Sequence, residues 1–258
     1  MVTATALDIV AELARLGVSD VDDSTLTRAL YSTDASLYRV VPQVVVRPRH
    51  VDEVHATIEA CATTGTPLTS RGAGTSIAGN AVGTGVVLDF NRHLNRVHEI
   101  DVEAQTARVD PGTVHAVVQR AASAHGLRFG PDPSTHTRCT VGGMIGNNAC
   151  GSRALGYGRT ADNVASLDVV TMAGERLALA PGVAPASPTL DRLRDVVSSG
   201  LGTIRTEFGR FGRQVSGYSL EHLLPERGFD VSTFLAGTEG TLATIRRECR
   251  PPCSRGRY

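Results

Sequence analysis

Apolar residues recur every three to four positions near the start of the chain, at Leu7, Val10, Leu13 and Ala14, and Gly17 follows them. This spacing predicts an amphipathic helix ended by a glycine. Residues 24–30 read as a second short helix, and residues 31–38 are too polar and turn-rich for regular structure. A β-branched run over 43–47 is closed by Pro48 and predicts a strand. Val51, Val54, Ile58 and Cys61 then mark one helix face, Gly65 stops it, and 67–70 forms a further strand. A strand, a helix and a strand in that order predict parallel pairing with a right-handed crossover.

Further along, 86–90 reads as another strand, and 97–100 with 106–109 as a pair. The spacing predicts a helix over 113–125 with Val114, Val117, Val118 and Ala121 inward. Residues 166–171 and 176–179, joined around Ala173-Gly174, have hairpin character. A Pro/Ala-rich linker over 181–188 precedes a helix over 191–199, and no internal repeat is found. The pattern predicts an α+β chain, a small parallel sheet followed by a mainly antiparallel one.

Composition narrows the chemistry. Hydrophobic residues make up 41% of the 258, enough for a sizeable core. Basic and acidic residues balance at 26 each, which removes the electrostatic footprint of a nucleic-acid partner. Every basic residue is arginine. A Walker A loop and a pyridoxal Schiff base each need a lysine, so both are excluded. The five cysteines are scattered without a CxxC pair, and the eight histidines show no HExxH spacing, so no metal site is predicted. Asp8, Glu12 and Arg15 interrupt the first apolar run, against a signal peptide or a transmembrane segment. A cytoplasmic location is the expectation.

Glycine is distributed unevenly. Residues 65–85 hold six and residues 142–158 hold six more, of 27 in all. The first loop, Ser70-Arg71-Gly72-Ala73-Gly74-Thr75-Ser76-Ile77-Ala78-Gly79-Asn80, follows a strand directly. Its successive N–H groups suit an anion-binding nest, and Arg71 supplies positive charge; the alternative is a surface turn. It departs from GxGxxG, since Ile77 stands where the third glycine belongs. In the second loop, a helix beginning near Gly142-Gly143 would present free N–H groups, with Gly146, Asn147 and Asn148 following; the alternative is a tightly packed helix cap. Two such loops suit a long ligand with a diphosphate and a second polar end. Spacing alone does not choose among dinucleotides.

These motifs resemble the FAD-binding domain of the vanillyl-alcohol oxidase and p-cresol methylhydroxylase (PCMH) family, most nearly its bacterial D-2-hydroxyacid dehydrogenases, over residues 31–245. The resemblance implies a PCMH-type FAD-binding fold with helices flanking the sheets. It implies that Arg71, Gly72, Ala73, Gly74, Thr75, Ser76, Gly79 and Asn80 hold the FAD diphosphate. Pro131, Asp132, Ser134, Thr135, Gly142 and Gly143 would lie along the flavin. Gly146, Asn147, Asn148, Gly151, Ser152, Tyr157 and Gly158 would continue that wall, Val164 would pack toward the adenosine, and Glu239 and Gly240 would lie near the adenine. Thr75 stands where some relatives tether flavin through a histidine, so noncovalent FAD is implied.

The implied chemistry is hydride transfer from a small 2-hydroxyacid (D-lactate, glycolate or D-2-hydroxyglutarate) to flavin, with an unidentified electron acceptor. In that family a cap domain brings the catalytic groups, so no catalytic residue is assigned to His136, Arg138 or any other position. A truncated, catalytically incomplete flavin-binding remnant, or a subunit needing a partner, is the alternative. The implied division is an N-terminal helical segment (1–37) and an FAD-binding domain (38–245) with subdomains 38–100 and 101–245. Residues 246–258, with five arginines and two prolines, read as a disordered tail unable to continue a central strand.

Overall fold

The computed structural model describes residues 8–210, 217–250 and 253–255, with no side-chain description beyond Arg246. Leu7 of the first predicted helix face, Pro251, Pro252 and residues 256–258 lie outside the described residues. Asp8 accepts a hydrogen bond from the Val10 amide and so caps α1 (Ile9–Arg15), which buries Ile9 and Leu13. After β1 (Val21–Asp22) and α2 (Thr25–Leu30), capped by Ser24, the chain enters β2 (Val44–Val46). Helix α3 (Val51–Thr64) follows, and Gly65 ends it with φ +68°. Then come β3 (Leu68–Arg71) and β4 (Val86–Asp89).

These strands form one sheet in the order β1-β2-β4-β3. Strand β4 lies between β2 and β3 and pairs parallel with both. Val44, Val45, Val46, Val86, Val87 and Leu88 are all fully buried, as expected for a parallel sheet covered on both faces. Its core is completed by Val54 and Ile58 of α3 and by Ile9 and Leu13 of α1.

The second sheet is antiparallel. It is built from β5 (Val97–Asp101), β6 (Thr106–Val109), β8 (Ser166–Val170), β9 (Arg176–Leu179) and β10 (Thr244–Arg250), in the order β5-β6-β10-β8-β9. Strands β8 and β9 form the expected hairpin, and β9 alternates exposed and buried positions. Between β6 and β8 run α4 (His115–Ser123), β7 (Leu127–Phe129), α5 (Val141–Gly146) and α6 (Ala154–Tyr157). Helices α7 (Pro188–Ser199), α8 (Leu201–Glu207) and α9 (Val231–Leu235) precede β10. Val109, Val118, Phe129, Met144, Leu167, Leu179 and Phe234 belong to this second core.

Two expectations are corrected here. The last strand does not dissolve at residue 246: β10 runs to Arg250 in the middle of the sheet, between β6 and β8. Cys253–Arg255 forms β11 against β7. Arginine is compatible with that position because Arg246 reaches Asp168 on β8 at 2.7 Å and His55 on α3 at 3.3 Å. The inward face of α4 is also shifted. His115, Val118 and Ala122 are buried, whereas Val117 is 40% exposed and Val114 precedes the helix. Valine spacing suggested one face, and a polar ring took the place of an apolar side chain on another. No helix among the described residues is long and apolar enough to cross a membrane.

Candidate functional site

A cleft of about 440 Å³ opens between the two sheets. On one side lie the end of β3 and the glycine loop after it; on the other lie the 133–149 segment with α5, and parts of β8 and β10. Its polar donors and its apolar surface come from different elements.

The donors come from the first loop. The backbone N–H groups of Gly72 through Ile77 have no hydrogen-bond partner among the described residues. A run of unsatisfied amides facing a cleft is an anion-binding arrangement. Gly74, at φ +65°, takes the left-handed turn within it. The loop is held from behind by Arg71. Its guanidinium donates to the carbonyls of Ala81 (2.9 Å) and Thr33 (3.0 Å), with Tyr31 O at 3.5 Å. The Tyr31 ring lies between the guanidiniums of Arg71 (5.1 Å) and Arg47 (5.7 Å), and its hydroxyl donates to Asp89 Oδ2 at 2.5 Å. Burial pushes the Arg71 pKa down, and Asp89, Tyr31 and Asp34 oppose that shift. Arg71 therefore lines the cleft while its donors brace the loop.

The second loop is arranged the other way, and the expectation of free amides at its helix N-terminus is corrected. Val141 N donates to Thr113 O, Gly142 N to Pro111 O, Gly143 N to Thr140 Oγ1 and Met144 N to Thr140 O. Asn147, Asn148 and Ala149 amides also donate within the fold. Thr140 is thus a helix N-cap, and this end of α5 has no donors left for a ligand. Nearby, the Ser134 and Thr135 amides have no partner among the described residues. The two loops touch: a Cβ on Gly72 would overlap Thr140 Oγ1.

Of the positions expected to hold cofactor, Arg71, Gly72, Ala73, Gly74, Thr75, Ser76, Asn80, Ser134, Thr135, Gly142, Gly143, Gly146, Asn147, Glu239 and Gly240 line the cleft. Ser76 Oγ donates to Asn80 Oδ1, and Asn80 Nδ2 donates to Glu239 Oε2, so side chains link the first loop to the 236–242 segment. That segment is tied to α5 by Gly237 N to Ile145 O and Glu239 N to Gly146 O, at 2.8 and 2.9 Å.

The other expected positions lie off the cleft lining. Gly79 faces the Tyr38 ring, and Pro131 O accepts from His115. Asp132 accepts from Ser152 Oγ and the Arg153 amide, and Gly151 packs so closely that a Cβ would overlap the Asp132 carbonyl. Asn148 Oδ1 accepts from Ala161 N, Tyr157 O accepts from Asn163, and Gly158 faces Asp162. Val164 is in the second core.

The apolar lining was missed in the sequence. Phe90, Pro111, Met144, Ile145, Leu167, Val169, Leu235, Ala243 and Ile245 all face the cleft. Residues 166–171 were read as one arm of a hairpin, but nothing local separates a cleft wall from a core. Cys139 and Cys150 line it, neither of them in a disulfide among the described residues, and burial pushes the Cys139 thiol up.

A family model described as an FAD binding domain matches residues 42–180. The chain is 36% identical over 237 residues to a D-2-hydroxyglutarate dehydrogenase of Pseudomonas putida, covering 85% of this chain and 23% of that protein. It is 33% identical over 232 residues to glycolate oxidase subunit GlcD of Bacillus subtilis, covering 89% and 41%. The chain therefore spans less than half the length of these relatives. An alkyldihydroxyacetonephosphate synthase structure shares the fold at TM-score 0.69 and 20% identity, over 95% of this chain and 40% of that one. The donor-lined loop, the apolar cleft and these matches converge: the chain belongs to the PCMH-type FAD-binding domain family, and its cofactor is FAD.

Proposed function

We propose that this domain serves the oxidation of a small D-2-hydroxyacid, such as D-lactate, glycolate or D-2-hydroxyglutarate, with the cleft as its FAD site. The observation that carries the reading is the row of unsatisfied amides from Gly72 to Ile77, facing an apolar cleft. These amides, with the Thr75 hydroxyl, hold the diphosphate, while the Ser76 hydroxyl ties the loop to Asn80. The Ser134 and Thr135 amides and the Met144, Leu167 and Val169 side chains suit the polar edge and flat apolar body of an isoalloxazine. When bound, FAD supplies the hydride acceptor; the protein supplies orientation and excludes water. Thr75 at the tethering position supports noncovalent binding. The electron acceptor lies outside this domain, and the scattered cysteines favour the cytoplasm.

The purified chain is expected to take up FAD and turn yellow, and anaerobic addition of the three acids in turn is expected to bleach the flavin band with one of them. Folded protein that takes up no FAD overturns the site. Bound flavin that none of the acids bleaches favours a second reading, a flavin-binding subunit that turns over only with a partner chain. That reading is supported by the Bacillus relative, which is named as a subunit.

A further inference from the structure

Helix α4 touches the cleft only through the segment behind which it lies. Two of its side chains, one turn apart, hold that segment by its backbone. Gln119 Nε2 donates to Phe129 O at 2.8 Å, and Gln119 Oε1 accepts from Phe129 N at 3.0 Å. His115 Nε2 sits 2.8 Å from Pro131 O. The carbonyl can only accept, so Nε2 carries the proton and Nδ1 is a bare acceptor. Nδ1 is buried and has no partner among the described residues. The same residue's amide donates to Cys139 O at 2.9 Å and the next one, of Ala116, to His136 O at 3.0 Å. His115 is 1% exposed and packs on Phe129, with ring centroids 5.5 Å apart.

The far side of the segment so held is cleft wall: Pro133, Ser134, Thr135, Cys139 and Thr140. We propose that His115 is a positioning residue for the FAD site, its Nε2–H tautomer fixing the Pro131 carbonyl and, through it, the wall that carries the Ser134 and Thr135 amides. A protonated ring would carry a second N–H with nothing to accept it, so the arrangement holds only while the ring is neutral. The groups facing it are Asp132, which favours its charge, and Arg128 and His136, which oppose it. The inference rests on the cleft's being the FAD site.

The test compares His115→Gln, which keeps a donor at the same distance along the side chain, with His115→Leu, which does not. Val118→Ala, on the same buried helix face, controls for lost packing. His115→Leu is expected to weaken FAD binding about tenfold, the scale of one hydrogen bond, and to speed amide hydrogen exchange over residues 131–140. Glutamine is expected to restore both, and Val118→Ala to lower the melting temperature with FAD affinity and exchange in that segment unchanged. Unchanged FAD affinity in His115→Leu, or glutamine behaving as leucine, overturns the proposal. So does an Nδ1–H tautomer in imidazole ¹⁵N spectra of the unaltered chain, whether or not the variants fold. A wild-type chain whose segment exchanges slowly but which takes up no FAD overturns the cleft reading, and this proposal with it.

Discussion

The two glycine-rich loops carry equal numbers of glycines and meet at Gly72 and Thr140, yet they use their backbones in opposite ways. In the first, the amides from Gly72 to Ile77 have no partner among the described residues, while Arg71 anchors the loop by donating to the Ala81 and Thr33 carbonyls outside it. In the second, the amides at the start of α5 donate to Thr113, Pro111 and Thr140, and the glycines let backbone segments approach closely. Glycine content therefore marks close packing by the protein in both loops, Thr140 against Gly72 and Asp132 against Gly151, without saying which amides stay available. Only the count of satisfied donors separates the two cases.

The comparison is broken most severely by substitutions in the second loop. Gly151→Ala puts a Cβ into the Asp132 carbonyl, a backbone atom that cannot swing away. It is expected to cost about 3 kcal/mol of stability, read as a drop in denaturation midpoint. Thr140→Val removes the cap and leaves the Gly143 amide unsatisfied. Its expected cost is about 1 kcal/mol, with FAD affinity less affected than stability. In the first loop the order reverses. Ser76→Ala cuts the link to Asn80 and Glu239; stability is expected to stay within about 0.5 kcal/mol while FAD titration shows weaker binding by about threefold to tenfold. A Ser76 variant that loses stability but keeps its FAD affinity would erase the distinction between the loops.

The smallest expected effect is a pH dependence. Burial pushes the His115 imidazole below its ordinary 6.5, against the pull of the Pro131 carbonyl. As pH falls below 6.5, the unfolded chain takes up a proton that the folded chain refuses. Stability therefore declines until the folded value is reached and then levels off. Burial shifts His55 and His222 the same way. Denaturation at a series of pH values is expected to show a shallower acid-side slope for His115→Gln than for the unaltered chain, without abolishing it.

Much of the fold was legible in the sequence. The buried triple valine of β2, the face of α3 with Val54, Ile58 and Cys61, and the hairpin character of β8 and β9 are local signals that tertiary packing did not overrule. Less was legible at the edges of these patterns. The α4 face was misread because His115 is polar by composition and becomes a buried residue only when the Pro131 carbonyl is in reach. Strand β10 was cut short because five arginines and two prolines speak against a strand, and the partner of Arg246, Asp168, is far away in the sequence.

For the site, the sequence by itself determined where backbone may come close to something, and it identified the loop at 70–80 with its hydroxyls and its arginine. The tertiary structure decided which amides remain available, that Arg71 braces the loop from behind, and that Leu167, Val169 and Met144 form a cleft wall. The physical reason is that satisfying a donor is a pairwise event between distant segments. A residue's own type fixes what it can donate, but only the fold fixes whether an acceptor has already arrived.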